Sequence, residues 1–206
     1  MAVNTNALNR FRYGLYAPFY DVLGRQLDRG RRRSIELLDI RPGESVLIPG
    51  AGTGLDLPHL SPESRVVAGD LSEPMIRRAE RRAAALGLRA DCRVMDAHQL
   101  DLPDESIDVA LLHLILAVIP DPEACICEVS RVMKPGGRVG IFDKFLPEGQ
   151  EPSLLRRAAG VVTNVLFSDI NRCLEPLLAA ADLKKVHTEA SVARGLFTVT
   201  VARKPV

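Results

Sequence analysis

The sequence predicts one α/β domain: a doubly wound, mostly parallel sheet with an antiparallel C-terminal edge hairpin, a helical N-terminal cap, and helices inserted after the fifth strand. Three observations predict it. Short apolar runs alternate with stretches of helical period through the middle of the chain, the pattern of parallel strands joined by right-handed crossovers. A glycine turn, Gly50-Ala51-Gly52-Thr53-Gly54, follows directly on the apolar run Val46-Leu47-Ile48. The 206 residues, 47% of them hydrophobic, suffice for one substantial core and fall short of two ordinary domains.

The elements follow in order. Residues 1–20 are polar and then aromatic, holding Phe11, Tyr13, Tyr16, Phe19 and Tyr20. These rings either staple a helical cap onto the domain or form a lid above a ligand. Val22–Leu38 reads as a helix with Val22, Leu23, Leu27, Ile35 and Leu38 as its apolar set. Its arginines (25, 29, 31, 32 and 33) read as a solvated face or as a patch for anionic lipid headgroups. Pro42-Gly43 turns the chain into the first strand. Arg65–Asp70 is the next strand. Ser72 then caps a helix with Pro74 in its first turn, a buried stripe of Met75, Ile76, Ala79, Ala83 and Leu86, and Gly87 as its stop. Strands are expected at Ala90–Met95 and Ile107–His113. Asp121-Pro122 opens a helix facing Ile126, Val129, Val132 and Met133 inward. Lys134-Pro135-Gly136-Gly137 breaks it and feeds a strand at Arg138–Asp143. Leu154–Phe167 and Ile170–Ala181 read as helices with no strand between them, and Lys184–Ala190 with Leu196–Ala202 as a hairpin of edge strands.

Composition narrows the function. The net charge is +1 from 27 basic and 26 acidic residues, aromatics are 4%, and tryptophan is absent. There is no global electrostatic pull on phosphates and there are few platforms for stacking bases, so no nucleic-acid partner is expected. The four cysteines have no framework spacing. Cys125 and Cys127 diverge on a helix and cannot share a metal, so the thiols are expected to be reduced and mostly buried. No cluster with ligand spacing suggests a metal. With no apolar N-terminal core and no run of about 18 apolar residues, the expected location is cytoplasmic, with peripheral membrane contact through the arginine helix as the alternative.

The chemistry lies in the spacing of the strand ends. A glycine turn after a buried strand lets backbone approach a ligand. Asp70 ends the next strand, where a carboxylate can accept both hydroxyls of a ribose. Asp96 ends the following one, where it can accept from an adenine amino group. The turn reads G-x-G-x-G, with Leu55 where a dinucleotide fingerprint places its third glycine. That argues against NAD or FAD and for an adenosine ligand without phosphate, such as S-adenosyl-L-methionine.

Several motifs occur in order: Tyr16-Ala17-Pro18-Phe19-Tyr20-Asp21, Val46–Gly54, Gly69-Asp70-Leu71-Ser72-Glu73-Pro74-Met75, Asp96-Ala97, Leu102–Asp108 and Arg131–Gly137. On them the chain resembles a class I S-adenosylmethionine-dependent methyltransferase of the ubiquinone/menaquinone C-methyltransferase-like group, with a looser similarity to bacterial phospholipid N-methyltransferases at Phe142–Pro147 and Asp169–Arg172. The resemblance implies a Rossmann-like sheet divided as a cap or lid (1–40), a cofactor-binding core (41–145) and acceptor-side helices with the closing hairpin (146–206). It implies cofactor contacts from Gly50, Ala51, Gly52, Thr53, Gly54, Asp70, Leu71, Met75, Asp96, Ala97 and His113. The acceptor implied is a small molecule or a lipid: a phospholipid amine, a quinone, or a thiol, amine or phenol.

His113 ends the fourth strand and reads either as a base or orienting group for the acceptor or as a packed polar residue. Tyr20 and Asp143 are the other catalytic candidates, with Tyr16, Lys144, Asn171 and Arg172 as further acceptor-side residues. His59, His98 and His187 have no partner spacing and are expected at the surface. One departure stands out. The group usually carries an acidic residue just before the first glycine, where it helps to hold the methionine amine; this chain has Pro49, with Asp56 as the stand-in. A nucleotide-dependent oxidoreductase and a binding module without turnover are the competing readings, the second resting on Pro49 alone.

Overall fold

The computed structural model describes residues 26–146 and 171–206. Tyr16, Tyr20 and the helix expected at Leu154–Phe167 lie outside them. Seven strands form one sheet in the order β3-β2-β1-β4-β5-β7-β6: β1 (Ser45–Ile48), β2 (Arg65–Asp70), β3 (Ala90–Val94), β4 (Ile107–His113), β5 (Met133–Asp143), β6 (Lys184–Ala190) and β7 (Thr198–Arg203). Strands β1 to β5 pair in parallel, and β7 runs antiparallel to both of its neighbours.

The inner strands are apolar on both faces because helices cover both. Val46, Ile48, Val109 and Leu111 share a cluster with Ile35 and Leu38 of α1 (Asp28–Leu38) and Ala79 and Ala83 of α2 (Glu73–Leu86). Leu47, Ala110 and Leu112 point the other way, against Ile126 and Val129 of α3 (Pro122–Val132) and Leu177 and Leu178 of α4 (Glu175–Ala180). The side-chain alternation of a strand thus divides the core into two layers. Helix α1 lies very close to β5: a Cβ on Gly30 would fall 2.3 Å from the Phe142 ring. Only glycine allows that approach.

Several expectations shift. Gln26 and Leu27 form a turn, so α1 starts at Asp28, and Val22–Arg25 lie outside the described residues. Leu86 is 40% exposed rather than buried, because it falls in the last turn of α2, off the stripe that meets the sheet. Helix α3 ends at Val132, before the expected breaker: Lys134-Pro135-Gly136-Gly137 lies inside β5, which begins at Met133 with a register irregularity opposite β4. The expected helix Ile170–Ala181 contracts to α4, leaving Cys173 exposed ahead of it. Cys125 is buried and Cys92 and Cys127 are half-buried, and burial pushes the Cys92 thiol up to about 11 and that of Cys125 to about 12. The closing strands do form an antiparallel pair, but only β6 is an edge: β7 is inserted between β5 and β6 and its Val199 and Ala202 are fully buried. Among the described residues, no helix is long and apolar enough to cross a membrane.

Candidate active site

The glycine turn stands at the end of β1, where strands of an open α/β sheet present ligand crevices. Ala51 N–H donates to Gly69 O of β2 at 2.8 Å, and Gly54 N–H returns to Ala51 O at 2.9 Å, closing the turn. Gly52 and Gly54 have positive φ, 54° and 78°. A Cβ on Gly54 would also stand 2.7 Å from Leu57 Cδ1 and 3.2 Å from Ala79 Cα. Gly54 therefore does the close packing against α2 that a dinucleotide site assigns to a glycine one position further on, where Leu55 stands here. Arg82 of α2 adds a clamp, its Nη1 donating to Thr53 O at 2.8 Å.

Asp70 is half-buried beside this turn. One carboxylate oxygen accepts Gly52 N–H at 2.9 Å and the other accepts Ser72 N–H at 2.9 Å. Burial pushes its pKa up, and these two amides offset only part of that rise. The Ser72 side chain makes no cap bond to α2, and its buried hydroxyl has no hydrogen-bond partner among the described residues. Leu71 is half-buried and Met75 fully buried on the same segment. Beyond β3, Asp96 keeps 40% of its side chain exposed, and Ala97 is buried behind it. The expectation that His98 is a surface residue without a partner is overturned: it is half-buried, and its Nδ1 lies 2.6 Å from Asp96 Oδ1. The D-x-H spacing carried a signal for this, since an aspartate readily accepts the amide two residues on, here at 3.0 Å. His59 also finds an acidic partner, Asp28 at 2.8 Å, while exposed His187 pairs with Glu189 at 2.9 Å.

At the ends of β4 and β5 the polar groups are sealed. The His113 side chain is 1% exposed. Its Nδ1 lies 2.7 Å from Asp56 Oδ1 and its Nε2 2.9 Å from Ser34 Oγ of α1. Arg31 of α1 reaches both Asp56 oxygens at 3.1 Å. Although burial opposes its charge, Arg31 and His113 hold the Asp56 carboxyl well below the usual carboxylate range. Two expectations change here. Asp56 is committed to Arg31 and His113, so it is not available as the stand-in for an amine-binding carboxylate. The arginine run is not one face either: Arg31 has 4% of its side chain exposed, whereas Arg32 has 69%.

Asp143 is fully buried, one oxygen accepting Ala117 N–H and the other Lys144 N–H, each at 2.9 Å. Burial raises its pKa, with the Lys144 charge opposing. Lys144 itself rides over the Phe197 ring, Nζ 5.3 Å from the centroid. Arg172 donates to Ile119 O at 2.8 Å and also to Leu116 O, fastening the loop after β4. Asn171 is half-buried next to it. The structure ties the glycine turn to Asp70 through the Gly52 amide and leaves Asp96 just beyond the neighbouring β3, and it puts His113 and Asp143 into internal networks. The sequence reading missed Ser34, Arg31 and Arg82, whose partners are remote along the chain.

These residues fit an adenosine-type ligand: Asp70 and Asp96 keep part of their surface exposed, and the buried Ser72 hydroxyl has no hydrogen-bond partner among the described residues. The profile of a family described as a methyltransferase domain matches residues 47–141. The chain is 31% identical over 188 residues to a phosphatidylethanolamine N-methyltransferase of Cereibacter sphaeroides, across 90% of this chain and 92% of that protein. It is 33% identical over 162 residues to a demethylmenaquinone methyltransferase of Thermus thermophilus, across 75% and 70% of the two. In fold it matches a SAM-dependent methyltransferase structure from Methanosarcina mazei with a TM-score of 0.67 at 20% identity, over 84% and 97% of the chains. The glycine turn, the order of the strands and these relatives agree, and the chain belongs to the class I, Rossmann-like methyltransferases, enzymes that use S-adenosylmethionine as cofactor.

Proposed function

We propose that this enzyme methylates the amine of a phospholipid headgroup. The observation that carries the reading is the extent of one match. Similarity to the phosphatidylethanolamine N-methyltransferase runs through nine-tenths of both chains, far beyond the cofactor core at 47–141, into the segments expected to receive the acceptor.

When bound, S-adenosylmethionine supplies a methyl group already activated on a sulfonium. The chain's task is placement. In this reading Gly50, Ala51, Gly52, Thr53 and Gly54 present backbone to the methionine and ribose, and Asp70 accepts the ribose hydroxyls in charge-assisted bonds. Leu71 and Met75 shape the apolar wall, Asp96 accepts the adenine amino group, and the Ala97 amide faces the ring. Holding the acceptor in line contributes several kcal/mol, up to about 7–11 in well-oriented systems. An amine requires only the loss of one proton, which water can take before attack. Carbon and oxygen acceptors depend more on a positioned base.

The chemistry at β4 and β5 supports an amine. His113 has both ring nitrogens engaged and Asp143 both oxygens. We assign His113 and Asp143 as positioning residues for the loop and helix around the site, and Tyr16, Tyr20, Lys144 and Asn171 as candidates for contact with the headgroup. The second reading, a quinone-type acceptor, draws on the demethylmenaquinone relative, whose match covers three-quarters of this chain.

The test is incubation of the full chain with S-adenosylmethionine and either phosphatidylethanolamine vesicles or detergent-solubilised demethylmenaquinol, with lipid products read by mass spectrometry. Mono- and dimethylated phosphatidylethanolamine are expected. Methylation of the quinol with phosphatidylethanolamine untouched would replace this reading by the second.

A further inference from the structure

We infer that His98 is a positioning residue that fixes the Asp96 carboxylate for recognition of the adenine amino group. The inference rests on the proposed place of Asp96 in the adenine subsite and deepens it. His98 stands between two fixed points. On one side its Nδ1 is 2.6 Å from Asp96 Oδ1, the same oxygen that accepts the His98 amide at 3.0 Å. On the other, Asp121 N–H meets His98 Nε2 at 3.3 Å. A backbone amide can only donate, so Nε2 carries the lone pair and the ring proton resides on Nδ1. That proton points at Asp96. The second contact determines the tautomer, and the tautomer makes the first contact a donation to the carboxylate.

Asp121 is itself immobilised. It is the N-cap of α3, and its side chain accepts Ala124 N–H at 2.9 Å. The line of hydrogen bonds therefore runs from a helix start, through a largely buried ring (17% exposed), to a carboxylate that is 40% exposed. A carboxylate with this much exposed surface has more than one rotamer open to it unless a bond selects one. Two donors on one oxygen hold its orientation, and Gln99 N–H to the Asp96 backbone O at 3.1 Å fixes the main chain that carries it. The same logic orients metal ligands through their outer partners. The ligand chemistry that reads this arrangement is an exocyclic amino donor, and a ring carrying an oxo group there would face a fixed negative charge.

The experiment is calorimetric titration of the full chain, wild type, H98A and H98N, with S-adenosylhomocysteine and with S-inosylhomocysteine, in which the amino group is replaced by oxo. Wild type is expected to prefer the adenosyl compound by about tenfold or more, the scale of one hydrogen bond to a charged group. H98A should weaken adenosyl binding by about tenfold while leaving inosyl binding within about twofold, so the preference collapses. H98N retains a donor at the Nδ1 position and should restore most of it. Equal loss of both ligands in H98A, or an unchanged preference, would overturn the role of His98. A wild-type protein that binds both ligands equally would instead remove Asp96 from the adenine subsite, and this inference with it.

Discussion

At the ends of β2 and β3, Asp70 and Asp96 accept backbone amides while keeping part of their surface open. At the ends of β4 and β5 and in the loop after β1, His113, Asp143 and Asp56 spend every polar atom on the protein and are closed to water. The residue types are nearly the same, and both groups border one end of one sheet. Capacity left over separates them. A carboxylate that keeps part of its surface exposed can take more from a ligand, whereas a buried, matched one can only transmit what its partners do. The first region is the one we propose as cofactor-binding, and the second is the joint that fixes α1 and the loop after β4 to the turn.

The joint should break hardest. Arg31→Met leaves Asp56 buried with His113 alone. Removing one partner of a buried pair costs about 3–5 kcal/mol, a fall of roughly 10 °C or more in Tm for a chain of this size. Arg31→Met combined with Asp56→Leu should recover part of that loss, since apolar replacement of a whole buried pair is often neutral. A single variant melting with wild type would remove the distinction between the regions. Acid sharpens the same point. The folded pKa of Asp56 is depressed, so its contribution is fully present above the ordinary aspartate value near 4 and fades as pH falls through the folded value. Asp143 is shifted upward and has the opposite sign: its ionised form burdens the fold, and that burden lifts as pH drops. Urea unfolding at decreasing pH should show Asp56→Asn losing stability less steeply than wild type.

Asp70→Ala acts on the open region. Loss of two bonds to a charged acceptor should weaken S-adenosylhomocysteine binding by about 3 kcal/mol or more, with the ligand-free protein still folding cooperatively although the Gly52 and Ser72 amides lose their acceptor. Calorimetry and thermal melting on the same sample test both halves, and unchanged affinity would falsify the assignment of Asp70 to the ribose. Gly54→Ala belongs to both regions, combining a left-handed backbone with a contact on α2. The backbone alone should cost about 1–2 kcal/mol, visible as a lower denaturant midpoint. The smallest effect is expected at the surface. Arg32→Ala removes an exposed pair with Glu36 at 2.8 Å and should shift stability by no more than about 0.5 kcal/mol; a larger change would mean that α1 is held by its outer face as well.

Much of this was legible from local pattern. The strand at Ile107–His113 matches its predicted bounds, Asp121 caps the helix it was expected to open, and Gly87 ends α2 in a left-handed conformation. Helical period also held a clue that charge obscured. Arg31 shares one face with Ser34, Ile35 and Leu38, all buried, so its spacing marked it as inward even though arginines surround it.

The sequence by itself determined the parallel α/β order, the glycine turn and the acidic residues at the ends of its strands, because apolar period and turn chemistry act between residues a few positions apart. Tertiary structure alone decided which polar side chains remain open. Arg31, His113 and Ser34 reach their partners across 25, 57 and 79 positions of chain, and a carboxylate's hydrogen-bonding capacity is settled only when those distant donors arrive.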